Sequence, residues 1–151
     1  MAMDITVEGL KSERLQSAVR GQVRDIRTRA QSCTVRASRE LRSAALHVLG
    51  GRRTKDPRRV YRVPHTKATY QASSPGEAPA ARTGTLRNSW GIIAMGSAAL
   101  GRYSSGIQTN VPYAPMLEDG TSRMAARPFR EKIIRQASPR IGDIFRSAGF
   151  R

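Results

Sequence analysis

The sequence predicts an α+β fold, with a long amino-terminal amphipathic helix, an extended basic arm, a small antiparallel sheet and a carboxy-terminal helix. Three observations carry this expectation. Apolar residues recur every three or four positions through the first third of the chain; a basic, proline-rich stretch with no hydrophobic period follows; and two strand-like runs then lead into a second stretch of helical period. All 151 residues are read as one domain, with residues 51–82 as an extended arm or docking loop.

The first helix rests on Leu15, Val19, Val23, Ile26, Ala30, Cys33, Ala37, Leu41, Ala44 and Val48, which fall on one helical stripe. The spacing predicts an amphipathic helix of roughly forty residues, stopped by Gly50-Gly51. Arg14, Arg20, Arg24, Arg27, Arg36, Arg39 and Arg42 lie off the stripe, as a solvated face or one turned to a polyanion or a partner.

Residues 51–82 carry eight positive and two negative side chains and four prolines, with one short strand-like alternation, "VYRV". Such a stretch reads as an extended basic arm that orders against a neighbour, or as a linker. Beyond the loop "SSPGEAPAA", the run "RTGTLRNSW" predicts a short helix capped by Thr83 or Thr85, with Leu86 and Trp90 four apart on one face. "WGIIAMG" and "SGIQTNV" read as two strands around a Gly/Ser-rich turn. "PYAPMLEDGTS" reads as a short helix or turn stopped by Gly120, and a last helix starts at Pro128 and is kinked or broken at Pro139.

Lys and Arg number 27 against 11 Asp and Glu, a net charge of +16, and all but Lys11, Lys55, Lys67 and Lys132 of these cations are arginine. Guanidinium excess seeks a polyanion or an acidic protein partner. No apolar run has the length of a membrane span and no signal-peptide order opens the chain, so a cytoplasmic protein with no membrane partner is expected. Cys33 stands alone as a small core residue, and with only His47 and His65 beside it no metal set can be drawn. "GSAALGRY" has the two glycines of a phosphate loop, but Arg102 and Tyr103 stand where Lys and Ser or Thr are needed. Glu118 and Asp119 are adjacent, so they point apart and read as an exposed turn or a partner salt bridge rather than an acid/base pair. No catalytic residue, cofactor or metal is expected. Eight scattered aromatics do not make a base-stacking platform, which leaves backbone electrostatics as the only nucleic-acid mode.

Read in order, "SSPGEAPAARTGTLRNSW" and "IQTNVPYAPMLEDGTSRMAARPF" resemble the HK-ninety-seven gene-ten-like tail-component family of long-tailed double-stranded DNA bacteriophages. The matching positions are Pro79, Arg82, Thr83, Gly84, Leu86, Arg87 and Ser89, then Asn110, Tyr113, Ala114, Glu118, Gly120, Thr121, Met124, Arg127, Pro128 and Phe129, within residues 75–135. The resemblance implies a structural virion protein rather than an enzyme, assembled in the bacterial host cytoplasm. It would form a ring in the neck between head and tail tube, in a tail-completion, tail-terminator or connector role. A hexamer is favoured and a dodecamer is the alternative, with adjacent neck, stopper or adaptor and tail-tube proteins as partners and non-specific contact with packaged DNA.

The Arg-rich segment 52–62 departs from the family pattern. Arg52, Arg53, Arg58, Arg59, Arg62, Arg82 and Arg87 are expected to meet a neighbouring subunit or ring, part of the arm's set facing packaged DNA or an acidic protein. Gly84, Leu86, Trp90, Tyr113, Glu118, Gly120, Thr121, Pro128 and Phe129 are expected to serve the fold, with Phe129 in the core. A basic protein that binds DNA or RNA backbones in the nucleoid or ribosome is the alternative function, supported by charge alone.

Overall fold

The computed structural model describes residues 12–51, 53–63, 65–97 and 102–150. Arg52 and residues 98–101, where the sequence reading placed a turn, lie outside the described residues, and so do the side chains of Arg58 and Arg59. The architecture is α+β: a long first helix, two small antiparallel sheets and a carboxy-terminal helix.

Helix α1 spans Ser12–Gly50 without a proline and ends at the expected double glycine. An Arg53 Nη donates back to the carbonyl of Val48, satisfying one acceptor that the last turn leaves open. Helix α4, Arg130–Ser147, runs antiparallel along the second half of α1. Gln136 meets His47 at 2.9 Å, Arg140 meets Glu40 at 3.4 Å, and Cys33 Sγ lies 3.8 Å from the carbonyl of Ile144.

Pro139 does not break α4. A proline removes one helical hydrogen bond, but Ile133, Ala137 and Ile144 are buried on both sides of it, and that shared apolar face holds the axis together. The helix also starts two residues later than Pro128, at Arg130, with Phe129 in the capping position.

The arm is a β-hairpin rather than a featureless extension. Strand β1, Lys55–Arg62, pairs antiparallel with β2, Thr69–Ser73, through Val60↔Gln71, Tyr61↔Tyr70 and Arg62↔Thr69. The ladder is irregular between Lys55 and Val60, where Pro57 has no N–H to give it. At the far end Val63 N–H donates to Ala68 O at 2.9 Å and His65 takes a left-handed φ of 62°.

Helix α2, Thr85–Asn88, leads into strand β3, Gly91–Ser97, which pairs with β4, Arg102–Gln108, in the register Gly91↔Gln108 to Ser97↔Arg102. The second strand therefore starts earlier than the sequence reading placed it and ends before Thr109. Pairing with β3 recruits Arg102, Tyr103 and Ser104 despite their turn-like composition, because each gains a ladder partner. A lone two-stranded ladder is marginal, and this one leans on α1, where Ser105 Oγ donates to the carbonyl of Thr34.

Helix α3, Ala114–Asp119, completes the element set. The core gathers Ala44, Ala45 and Leu49 of α1, Ala78, Leu86 of α2, Trp90, Val111, Ala114 of α3, Phe129, and Ile133 and Ala137 of α4. At its centre Trp90 and Phe129 meet edge to face, 6.1 Å between centroids and 75° between planes.

Candidate functional site

The motif residues converge on one joint between α2, α3 and the start of α4. Gly84 occupies the N-cap of α2 at φ 78° and ψ 0°, a left-handed conformation that suits glycine. The expected Thr83 or Thr85 cap does not form: no side chain caps α2, and the two hydroxyls bond each other at 2.7 Å. The helix stops at Asn88, so Trp90 lies beyond it. Both Leu86 and Trp90 are nevertheless buried, and Arg42 Nε fixes the Trp90 carbonyl at 2.9 Å. "RTGTLRNSW" is thus a turn at Gly84 and one short helix, which together plant two apolar side chains in the core.

Glu118 is half-buried near the end of α3 rather than in an exposed turn, and its carboxylate is used within the fold. Its carboxylate accepts the backbone N–H of Phe129 at 2.9 Å and that of Arg130 at 3.2 Å, capping α4 from a separate helix. Around it Tyr113 takes the N-cap of α3 with its side chain exposed, and Gly120 forms the C-cap. Thr121 and Met124 exchange backbone hydrogen bonds, and Pro128 delivers Phe129 into the core. Because the carboxylate serves two N–H groups that would otherwise be orphaned, Glu118→Ala is expected to cost about 1–2 kcal/mol. Urea unfolding of the two proteins checks this, and Glu118→Gln should recover part of the loss.

The arginines divide. Arg53 turns inward: its Nε donates to Pro79 O at 3.3 Å, and it sits beside Glu77. Burial pushes its guanidinium below the usual range, and Glu77 pulls it back up. Arg62, Arg82 and Arg87 are exposed; Arg62 reaches the carbonyl of Thr66, Arg82 stacks 5.8 Å over the Tyr70 ring, and Arg87 lies against Gly50.

Glu77 ties the hairpin base together by accepting the N–H of Thr54 and of Ser74, each at 3.2 Å. Its carboxyl is held below the ordinary carboxylate value, chiefly by the Thr54 side-chain hydrogen bond, then by backbone N–H groups and the Arg53 charge. A carboxyl lowered on folding adds stability above its unfolded pKa, and that stability is lost as pH falls through the folded value. Glu77→Gln should therefore lower the melting temperature at neutral pH. The gap between the proteins should close as pH drops below about 4.3, the ordinary Glu value, in thermal scans run across pH.

The uncovered surface is the first half of α1, which the sequence spacing did not separate from the second half. Every residue from 13 to 29 is exposed, including stripe residues Leu15 at 61%, Val19 at 51%, Val23 at 39% and Ile26 at 54%. From Cys33 onward, where α4 and β4 lie against it, Cys33, Ala37 and Ala44 of the same stripe are buried and Leu41 and Val48 partly so. Residues 12–31 thus project as roughly 30 Å of helix with an uncovered apolar seam, flanked by Arg20, Arg27 and Arg29.

Among the described residues no helix is long and apolar enough to cross a membrane, and no group of His, Cys, Asp or Glu is placed to hold a metal ion. Comparison with protein-family models, with curated proteins and with solved structures finds no match to this chain.

Proposed function

We propose that this chain is a structural virion protein of a tailed double-stranded DNA phage, forming a ring in the neck that joins head to tail in a tail-completion, terminator or connector role. The observation that carries the assembly is the projecting half of α1. An apolar seam of this length on a helix without tertiary cover marks an interaction surface, because a helix gains most of its stability in water from packing its apolar face. In a ring, each subunit covers what its neighbour leaves open. A hexamer is the favoured stoichiometry and a dodecamer the alternative. The ordered motif positions from Pro79 to Phe129 support the neck in particular, and the exposed arginines suit acidic neighbours in adjacent rings or packaged DNA passing through the channel.

Mass photometry of the full chain tests the assembly, with a hexamer or dodecamer expected. The quadruple substitution Leu15→Gln, Val19→Gln, Val23→Gln and Ile26→Gln keeps helix-forming residues and removes the seam. It should yield monomers whose thermal unfolding still shows the folded body. A lone copy at every concentration, or a ring that survives the four substitutions, would sink the proposal. A monomer that binds any duplex with affinity falling steeply in salt would put the DNA- or RNA-backbone-binding reading in its place.

A further inference from the structure

A cleft of about 390 Å³ opens between the hairpin base, the loop before α2 and helix α3. Its apolar wall includes Leu49, Ala72, Leu86 and Leu117, and Arg127 forms part of the lining. Arg127 is only 7% exposed, yet its single side-chain hydrogen bond among the described residues runs from Nε to the carbonyl of Ser73 at 3.3 Å. Among the described residues its Nη groups have no acceptor and no carboxylate pairs with it, which leaves them to the solvent of the cleft. Ser73, also in the wall, has its Oγ buried without a hydrogen-bond partner. A guanidinium in a largely apolar cleft, with no carboxylate of the described residues beside it, offers a partner to an opposite charge brought in from outside.

We propose that this cleft receives an acidic side chain carried on an apolar segment of a neighbouring protein chain, with the carboxylate on Arg127. A carboxylate matches the planar fork of a guanidinium, and a carboxylate-bearing residue with apolar neighbours matches the remaining wall. The ligand is a chain segment rather than a small molecule because the apolar surface does not stop at the mouth. Tyr113 and Met116 line the cleft and remain exposed at 42% and 56%, forming a ledge that a segment lying across the opening would cover. Exposed Arg82 and Arg87 at the rim add attraction for an acidic strand. The cleft stands apart from the ring reading, since a single subunit already contains all of it.

Two peptides decide the matter: acetyl-Leu-Glu-Leu-amide and its Gln counterpart, titrated at millimolar concentration into the full chain labelled at its methionine methyls. Met116 and Met124 line the cleft, and methyl signals remain visible in a large assembly. The Glu peptide should move both signals saturably and bind at least ten-fold more tightly than the Gln peptide. Arg127→Gln should abolish that preference. If that variant fails to fold, Ala80→Trp, which fills the cleft from its wall, should block the Glu peptide while the melting temperature stays near that of the parent. Equal binding of the two peptides, absence of any shift at Met116 and Met124, or undiminished binding in Ala80→Trp would each overturn the proposal.

Discussion

Phe129→Ala lowers the unfolding free energy by about 3–5 kcal/mol, the range for truncating a buried Phe. Phe129 is 2% exposed, meets Trp90 edge to face, and sits at the capping position of α4, so its ring joins the helix start to the core. The melting temperature should fall by roughly 10 °C or more, read at one fixed protein concentration so that any self-association affects both proteins alike. Phe129→Leu keeps an apolar side chain there and should cost far less, under about 2 kcal/mol. An alanine variant as stable as the parent in urea and thermal unfolding would overturn the placement of Phe129 in the core.

That ring shows how unevenly the fold was legible. The start of the last helix could be read to within two residues, Pro128 against the observed Arg130, because proline marks such starts and an aromatic follows at the head of an apolar period. The length of α1 was legible for the same kind of reason, an unbroken three-and-four spacing up to Gly50-Gly51. The spacing did not reveal which half of the stripe is covered, because Leu15 and Ala44 have the same periodicity and only the length of α4 separates them. That helix reaches Cys33 and stops.

The hairpin escaped notice for a related reason: its ladder depends on residues up to 18 apart, Lys55 and Ser73, while its first strand carries a proline and five charges. Non-local polar partners were hidden most completely. Glu118 caps Phe129 from 11 residues away, and Arg127 is buried beside Ser73, which is 54 residues distant. A charged side chain in a sequence gives no sign of such a partner, and the default of solvent exposure is the usual outcome. Arg53 is a further case: its guanidinium donates to the carbonyl of Val48 at the end of its own first helix, a bond that the sequence did not signal.

Gly120→Ala should be comparably damaging, through the backbone rather than through lost burial. Gly120 adopts φ 79° and ψ −177°, a region essentially reserved for glycine and costing other residues about 1–3 kcal/mol. A Cβ there would also lie 2.8 Å from both the amide nitrogen of Ala126 and the carbonyl oxygen of Met124. Those are backbone atoms of the turn whose chain leads to Arg127, and the Arg127 N–H is bonded to Leu117 O at 2.8 Å. The clash cannot be relieved by swinging a side chain, so the turn has to shift, and Glu118 and Phe129 shift apart with it. We expect a loss of about 3 kcal/mol or more, with accelerated hydrogen exchange at the Phe129 and Arg130 amides that Glu118 holds. Gly76→Ala separates the two causes: Gly76 also has a positive φ, 78°, but a Cβ there meets nothing within 4 Å. That control should cost about 1–2 kcal/mol, the ordinary penalty for a left-handed residue. Equal losses in the two variants would show that the close approach at Gly120 contributes nothing, and that the joint between α3 and α4 tolerates a side chain where the geometry denies it room.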